Sequence, residues 1–280
     1  MLPYVWMLLG SLAFAAMGTM VHALGHSCDW QVIALARTGL ALLFAATLAR
    51  SAGAKLVVWR PATLWVRSLA GSLSLVCTFF AFTRLPVSDV LTLTNTFPIW
   101  VALLSWPLLG EPPSARVWLS VAGGILGMVV MQQPHFADGN FASLIALGSS
   151  FSTAVAMIGL HRLQQIDSWA IVAHFSAVST LFCFASLFLF DRAVALRDTF
   201  TSLTLLLLLG VGISATIGQL FLTKAFAAGP PAKVAVVGLS QIPFAISFDT
   251  LFWESSFQPV TLLGMGMVAT STAWVMVQRS

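Results

Sequence analysis

Ten apolar stretches fill this chain almost from end to end, and each is close to the ~20 residues that a helix needs to cross a bilayer. Only 8% of the 280 residues are charged, against about 25% in an ordinary soluble domain, and 59% are hydrophobic. A water-soluble fold of this length could not bury so much apolar surface. The sequence therefore predicts an all-α integral membrane protein with ten transmembrane helices.

Turn residues and prolines separate the predicted helices, where loops are expected. The loops are too short to hold a separate soluble domain. The predicted helices cover residues 2–22, 29–49, 63–83, 87–109, 115–132, 140–160, 169–190, 202–224, 233–253 and 258–278.

The positions of Lys and Arg predict the orientation in the membrane. With the N-terminus in the cytoplasm, nine basic residues lie on the inner side and three on the outer side. We therefore expect a multi-pass protein of the cytoplasmic (inner) membrane with both termini cytoplasmic and a retained first helix. Because the basic residues are scattered, the net charge of +4 does not indicate nucleic-acid binding.

The chain contains an internal repeat of five predicted helices. Pro98 in the fourth helix matches Pro243 in the ninth, and Glu111 and Glu254 follow these two helices. Five is an odd number, so the two units must cross the membrane in opposite directions. We predict two inverted five-helix repeats. They cover residues 1–135 and 136–280.

At these residues the chain resembles the drug/metabolite transporter superfamily, specifically its bacterial EamA-type members with ten helices in a five-plus-five arrangement. The resemblance covers essentially the whole chain. It implies a central cavity shared by the first four helices of each unit, with the fifth and tenth helices packed outside. It does not imply one substrate, because relatives move amino acids, nucleotide sugars, organic acids, vitamins and toxic cations.

Two polar clusters beside prolines mark the candidate substrate site near the bilayer midplane. Since proline cannot donate a hydrogen bond to the carbonyl four residues earlier, we expect the Thr94 and Leu239 carbonyls to lose their usual partners. Symmetric polar clusters of this kind are typical of transporter sites, although helix packing alone can also require them. The clusters are Asn95 and Thr96 before the hinge residue Pro98, and Ser240 and Gln241 before the hinge residue Pro243.

Three aromatic residues flank these clusters, namely Phe97, Trp100 and Phe244. They form either an apolar wall that closes on the substrate or plain helix packing.

Arg37 is the strong cation placed well inside a predicted span, ~12 Å from the outer edge. Asp249 lies ~9 Å beyond Pro243 toward the same side. A charge inside the membrane usually faces a cavity or a counter-ion, so we hypothesise that the two side chains pair when an outer gate closes. The alternative is that both extend to the headgroups. A cation facing the cavity favours a substrate with a carboxylate. Arg67, near the inner end of the third helix, either adds to the same cationic field or is a cytoplasmic anchor, the role that we favour.

Titratable groups inside the predicted spans are few. His174 is either a proton relay or a hydrogen-bonding partner of a neighbouring helix, and Asp249 is the other candidate for proton coupling. His22 and His26 are four residues apart and precede Cys28, a metal-like spacing. They straddle a helix end without a second supporting motif, so we predict no metal and no cofactor.

Together these features predict a secondary transporter for a small polar metabolite, amino-acid-like or carboxylated, that works by alternating access, with export as the candidate direction. Facilitated transport or exchange is favoured over obligate proton symport. The sequence has no Walker loop and no channel filter. An intramembrane enzyme acting on lipid-linked substrates and a non-transporting scaffold stay open as alternatives. The predicted partners are a small-molecule substrate and the lipid bilayer. Gly123 and Gly127 allow close packing within a monomer or in a homodimer.

Overall fold

The computed structural model describes residues 1–25, 28–82, 84–134, 141–189, 201–253 and 258–277. Within these residues all regular secondary structure is α-helical. Nine helical stretches of the described chain are long and apolar enough to cross a membrane, which confirms the prediction of an all-α membrane protein. The helices are α1 Leu2–Leu24, α2 Trp30–Ser51, α3 Ala62–Phe82, α4 Val87–Thr94, α5 Phe97–Leu109, α6 Ala115–Gln132, α7 Phe141–His161, α8 Ser168–Leu189, α9 Ser202–Ala228, α10 Pro231–Gly238, α11 Gln241–Trp253 and α12 Pro259–Val277.

The fourth and ninth spans are each broken into two half-helices, so twelve helices occur where ten were predicted. We expected continuous, kinked helices over 87–109 and 233–253. The breaks instead precede the two prolines, because a residue without an N–H is tolerated in the first turn of a new helix. Pro98 lies in the first turn of α5, and Pro243 is the third residue of α11.

The backbone at the second break is satisfied locally. The Leu239 carbonyl, which we expected to lose its partner, accepts a hydrogen bond from the Ile242 N–H at 3.1 Å. The usual donor four residues later is absent, as expected, and the chain supplies a substitute because it tightens into a turn with hydrogen bonds between residues three apart. At the first break the Asn95 N–H donates to the Leu91 carbonyl at 3.0 Å and closes α4.

The main helix pairings join the two halves of the chain. α1 packs along α9 and α3 along α7, which are equivalent pairs if the halves are exchanged. α2 packs along α8 and α6 along α12, which pair equivalent helices. This is the contact pattern that a two-fold relation between two five-span units would give. The predicted boundary at residues 135 and 136 lies outside the described residues, so it stays a prediction.

The two broken spans differ in how they pack. α10 packs against α5 and α6, whereas α4 has no comparable packing on α11 or α12 in the described part of the chain. Following the chain back and forth places the α5–α10 contact at the end of the bundle that holds residue 1. We call this the N-terminal end and the opposite one the far end.

A polar contact also joins the halves at the N-terminal end, where the Arg162 guanidinium of the second half donates to the Leu108 carbonyl of the first. Within the second half, the His161 Nδ1–H donates to the Phe226 carbonyl at 3.1 Å and ties α7 to α9. Among the described residues, the two broken spans therefore meet at the N-terminal end, through α5 and α10, and not through α4 and α11 toward the far end.

Glycines let α6 and α12 approach until their backbones touch. A Cβ atom added to Gly264 would lie 2.5 Å from the Gly127 carbonyl oxygen, closer than atoms can pack. We considered Gly123 and Gly127 for a contact either within a monomer or in a dimer. At Gly127 that contact is made within the chain, by α12. The oligomeric state itself stays a prediction.

Candidate functional site

A serine from the second half holds the break of the fourth span. The Trp100 indole N–H donates to the Ser150 Oγ of α7 at 3.0 Å, and the Thr96 hydroxyl oxygen lies 3.0 Å from the same atom while its proton has a closer acceptor in the Leu93 carbonyl at 2.6 Å. The Ser150 hydroxyl donates in turn to the Leu147 carbonyl of its own helix at 2.8 Å. Two of the predicted site residues are therefore brought together at a third that the sequence analysis did not single out.

A serine from the first half contacts the break of the ninth span. The Ser11 hydroxyl of α1 donates to the Gly238 carbonyl at 3.4 Å, where α10 ends. Ser11 and Ser150 each occupy the tenth position of the first helix in their half. Each break is thus held by the opposite half, at matching positions. A single serine in an apolar helix gives no sequence signal of this role.

The two breaks also meet through an aromatic ring. A Cβ atom added to Gly238 would lie 3.6 Å from Cζ of Phe97, the first residue of α5. Phe97 is half-buried and packs against the main core. The ring therefore lies between the ends of two half-helices that come from different halves of the chain.

The remaining residues of the predicted clusters are less closely connected. The Asn95 amide donates to the Leu91 carbonyl of α4 at 2.8 Å. Ser240 is buried and its hydroxyl has no hydrogen-bond partner among the described residues. Gln241 and Phe244 are half-buried on α11. Hydrogen bonds between described residues do not join the first cluster to the second.

Arg37 is half-buried on α2 and lies within electrostatic reach of Cys183 on α8. The side chain of Asp249 lies outside the described part of the structure. The hypothesised pair between Arg37 and Asp249 therefore stays a prediction.

His174 uses both ring nitrogens in contacts with other segments. Its Nδ1 lies 2.8 Å from the Ser68 hydroxyl on α3, and its Nε2 lies 3.2 Å from the Val58 carbonyl. The ring also packs edge-on against Trp65, with ring centroids 4.8 Å apart. Since a carbonyl only accepts, Nε2 donates, and a neutral imidazole satisfies both contacts. This arrangement fits a histidine that ties α8 to α3, the alternative to a proton relay.

Arg67 is the largest departure from the sequence expectation. We expected a cytoplasmic anchor, but the side chain is only 1% exposed and turns into the bundle. Its Nη2 donates to the Gln219 side-chain oxygen on α9 at 3.1 Å, and its guanidinium carbon lies 4.0 Å from the Phe175 ring centroid on α8. Gly71 makes this possible, because a Cβ atom there would lie 2.5 Å from Nη1.

Asp89 is a buried carboxylate that the sequence analysis passed over. It lies in the first turn of α4 and is 1% exposed. His174 and Asp249 were the titratable groups considered for proton coupling. Asp89 lies within the helix predicted over 87–109 but was not among them, and the packing of the helices encloses it.

Hydroxyl pairs join the middle of α3, residues 72–78, to α7 and α8. The Ser72 and Ser179 hydroxyl oxygens are 2.8 Å apart, those of Ser74 and Thr153 2.6 Å, and those of Thr78 and Ser149 2.7 Å. Such pairs satisfy polar groups away from water and hold membrane helices together.

A hollow of about 560 Å³ opens at the surface of the N-terminal end. It is lined by Ser105, residues 111–117 and residues 230–233. Glu111, Arg116 and Lys233 place charges of both signs around it. Because α10 starts here and ends at the second break, the hollow lies on the side of the α5–α10 contact that faces away from the breaks.

The metal-like spacing near the first connection is only partly described. His26 lies outside the described residues, and no group of three or more His, Cys, Asp or Glu within them could hold a metal ion. Burial and the nearby charge of Asp29 both raise the pKa of the Cys28 thiol above its ordinary value. A thiol that keeps its proton is a poorer metal ligand.

Apolar helices of membrane length, two of them broken beside a proline, define a multi-pass membrane protein with the architecture of a carrier. The EamA-like transporter family matches residues 1–132 and 140–277, so the chain belongs to this family. This confirms the resemblance to the drug/metabolite transporter superfamily.

Relatives with assigned names are transporters. The chain is 28% identical over 259 residues to the pseudopaline exporter CntI of Pseudomonas aeruginosa (strain UCBPP-PA14), covering 91% of this chain and 89% of the relative. It is 23% identical to the riboflavin transporter of Rhizobium johnstonii, covering 97% and 90% of the two chains. One crystal structure superimposes with a TM-score of 0.86 over 99% of both chains, at 15% identity. That last likeness concerns the fold alone.

Proposed function

We propose that the protein is a secondary transporter that moves a small polar metabolite, amino-acid-like or carboxylated, across the cytoplasmic membrane by alternating access. The observation that carries the proposal is the pair of broken spans, each held by a serine of the opposite half. A break next to polar side chains offers hydroxyl and carbonyl groups to a solute inside the membrane. Because each serine belongs to the other half, a rocking motion of the halves changes both breaks together.

The proposed site surrounds the two breaks. Pro98 and Pro243 act as hinge positions, because each lies in the first turn of a half-helix that follows a break. Ser11 and Ser150 join the set by their contacts with the breaks. The substrate-binding side chains proposed from the sequence are Asn95, Thr96, Phe97, Trp100, Ser240, Gln241, Phe244 and Arg37.

The contact of α10 with α5 and α6, which α4 does not match on α11 or α12 in the described residues, supports an outward-open step of the transport cycle. With both termini in the cytoplasm, the closed N-terminal end faces inward and the site opens outward. The reverse step then requires α10 to leave α5 and α6, and α4 to approach α11. The symmetry of the helix pairings makes these two arrangements near-equivalents of one another.

The named relatives say more about the direction of transport than about the substrate. One relative is named an exporter and another a riboflavin transporter, so likeness in sequence extends across different solutes. We favour export on the strength of the first. The family does not support the alternatives of an intramembrane enzyme or a scaffold, since its members are named as transporters.

Transport by purified protein in liposomes tests the proposal, with a metabolite library first screened by thermal shift because a true substrate stabilises the fold. Ser150→Ala should lower transport of any substrate found by about 5-fold to 150-fold, because the Trp100 indole N–H loses its acceptor. Ser186→Ala is the matched control, because among the described residues this buried serine bonds within its own helix, to the Cys183 carbonyl.

Two outcomes contradict the proposal. The first is that no solute in the library is moved by protein that is folded in the liposomes. The second is that Ser150→Ala and Ser186→Ala transport equally well, which would separate the break from the transport path. Facilitated transport or exchange further predicts that an imposed pH gradient leaves the flux unchanged, whereas accumulation driven by the gradient would implicate a titratable group such as Asp89.

A further inference from the structure

Arg67 is a buried cation without a buried anion beside it. It makes no ion pair with any described residue, and its Nε and Nη1 atoms have no hydrogen-bond partner. The contacts that stabilise it are one hydrogen bond to Gln219 and the face of Phe175. Three N–H bonds of the guanidinium, on these two nitrogens, are therefore enclosed without an acceptor in the part of the chain that the structure describes.

This arrangement is unfavourable for stability alone. Charged groups away from water are usually paired, and an apolar side chain of similar volume often packs at such a position with better stability. Buried polar atoms without partners are rare in proteins, and each calls for an explanation, for example a ligand that binds there. Arginine also stays protonated in nearly all protein environments, so the charge cannot easily be removed.

The side chain crosses the gap between the two halves. α3 belongs to the first half and α9 to the second, and in the described residues they do not pack directly as neighbours. The hydrogen bond from Arg67 to Gln219 nevertheless joins them. α3 and α9 occupy equivalent places in the two halves, so a contact between them runs across the middle of the bundle.

Arg67 lies between the two breaks and the N-terminal end of the bundle. It is the sixth residue of α3, ~7.5 Å from the helix start at the N-terminal end. One turn from Gln219 toward the same end, Thr223 is completely buried with its hydroxyl unpartnered. Polar groups with unmet hydrogen bonds therefore occur on both sides of the gap, in the half of the bundle that is closed.

We infer that Arg67 binds the carboxylate of the transported solute as it passes between the breaks and the N-terminal end. The inference rests on the proposed function and deepens it by assigning the substrate class and the residue that selects it. When the N-terminal end opens, the halves separate, Gln219 leaves, and the guanidinium presents its free N–H groups to the solute. A guanidinium suits a carboxylate because it donates two parallel hydrogen bonds.

The experiment compares carboxylates with their primary amides, so that only the charge and one acceptor change. The probes are succinate and succinamide, benzoate and benzamide, nicotinate and nicotinamide, and glutamate and glutamine, tested by thermal shift and by liposome flux. We expect one or more carboxylates, and not the matching amides, to stabilise the protein and to be transported. Arg67→Gln should weaken the apparent affinity for the carboxylate about tenfold to a hundredfold.

Two further variants separate binding from folding. Arg67→Lys keeps the charge but loses the planar fork, so its affinity should fall between those of the wild type and Arg67→Gln. Arg50→Gln is the control, because it removes an exposed cation at the same end of the bundle and should leave the affinity unchanged. Without ligand, Arg67→Gln should melt no lower than the wild type, because an unpaired charge has been removed.

The inference is overturned if Arg67→Gln binds the carboxylate as well as the wild type does. It is also overturned if the transported solutes are uncharged and their flux depends on Ser150, a result that leaves transport by alternating access standing and removes only the carboxylated substrate. If folded protein transports none of the probes and no member of the wider metabolite library, the proposed function fails and this inference fails with it.

Discussion

The backbone contact between α6 and α12 allows a sharp test of the packing. In Gly264→Ala, the new methyl group would lie 2.5 Å from the Gly127 carbonyl oxygen and 2.5 Å from Met131 Cγ. Ordinary contact begins near 3.4 Å, so the two helices must separate locally by about 0.9 Å. Gly266→Ala, two residues further along α12, meets no atom within 4 Å. The two variants make the same chemical change in the same helix.

We expect Gly264→Ala to destabilise the fold by about 1–3 kcal/mol, the usual penalty for overpacking a close contact. In a chain of this size that lowers the melting temperature by roughly 2–12 °C. Gly266→Ala should melt at or slightly above the wild-type temperature, because alanine favours the helix more than glycine does. The measurement is thermal unfolding of the purified protein in one detergent, followed by intrinsic tryptophan fluorescence.

A double variant checks that the cause is the contact itself. Gly127→Ala alone should also destabilise, because its methyl group would lie 2.8 Å from the Gly264 carbonyl oxygen. Once the first substitution has moved the helices apart, the second has less to displace, so the combined loss should fall short of the sum. Equal melting temperatures for Gly264→Ala and Gly266→Ala would refute the packing described here.

Two other predictions concern the far end and the histidine. A membrane-impermeant maleimide added to intact cells should label Cys28 and give no signal in Cys28→Ser; labelling confined to inside-out vesicles would reverse the proposed orientation. The raised pKa of this thiol shifts thiolate formation to higher pH. The labelling rate should therefore increase with pH over a more alkaline range than the rate for a free cysteine does. His174→Phe should destabilise the fold by about 1–3 kcal/mol, because groups on α3 and near Val58 lose their partners. The pH profile of transport should not move in this variant, and a displaced profile would show that the ring carries protons.

Sequence patterns predicted the spans well because hydrophobic length is a local property. Each predicted helix has its counterpart in the structure, and the polar pairs beside Pro98 and Pro243 lie at the breaks. We predicted a kink where the structure has a break. Proline removes one hydrogen bond from its own helix, but whether the helix bends or restarts depends on contacts with the surrounding helices. Ser150 from α7 is one such neighbour, and the sequence does not show that it contacts Thr96.

Arg67 shows where such reasoning ends. Its distance from the start of α3 gave the depth correctly, but depth does not give the direction in which a side chain points. That direction depends on the small residues at Gly71 and Gly159, which leave room for the arginine, and on Phe175 and Gln219, which come from helices more than 100 residues away in sequence. The information is present in the sequence, yet only the assembled bundle brings it together.

The cross-half serines bear on how the chain is made. Helices enter the membrane in order as the ribosome elongates them, and α1 waits for α9, its main neighbour, until most of the protein has been synthesised. Until α7 is inserted, Trp100 lacks the acceptor that holds the fourth span. The helices of the first half must therefore stay in the bilayer without their packing partners. Expressed alone, the first half should be recognised by chaperones and proteases as incompletely folded.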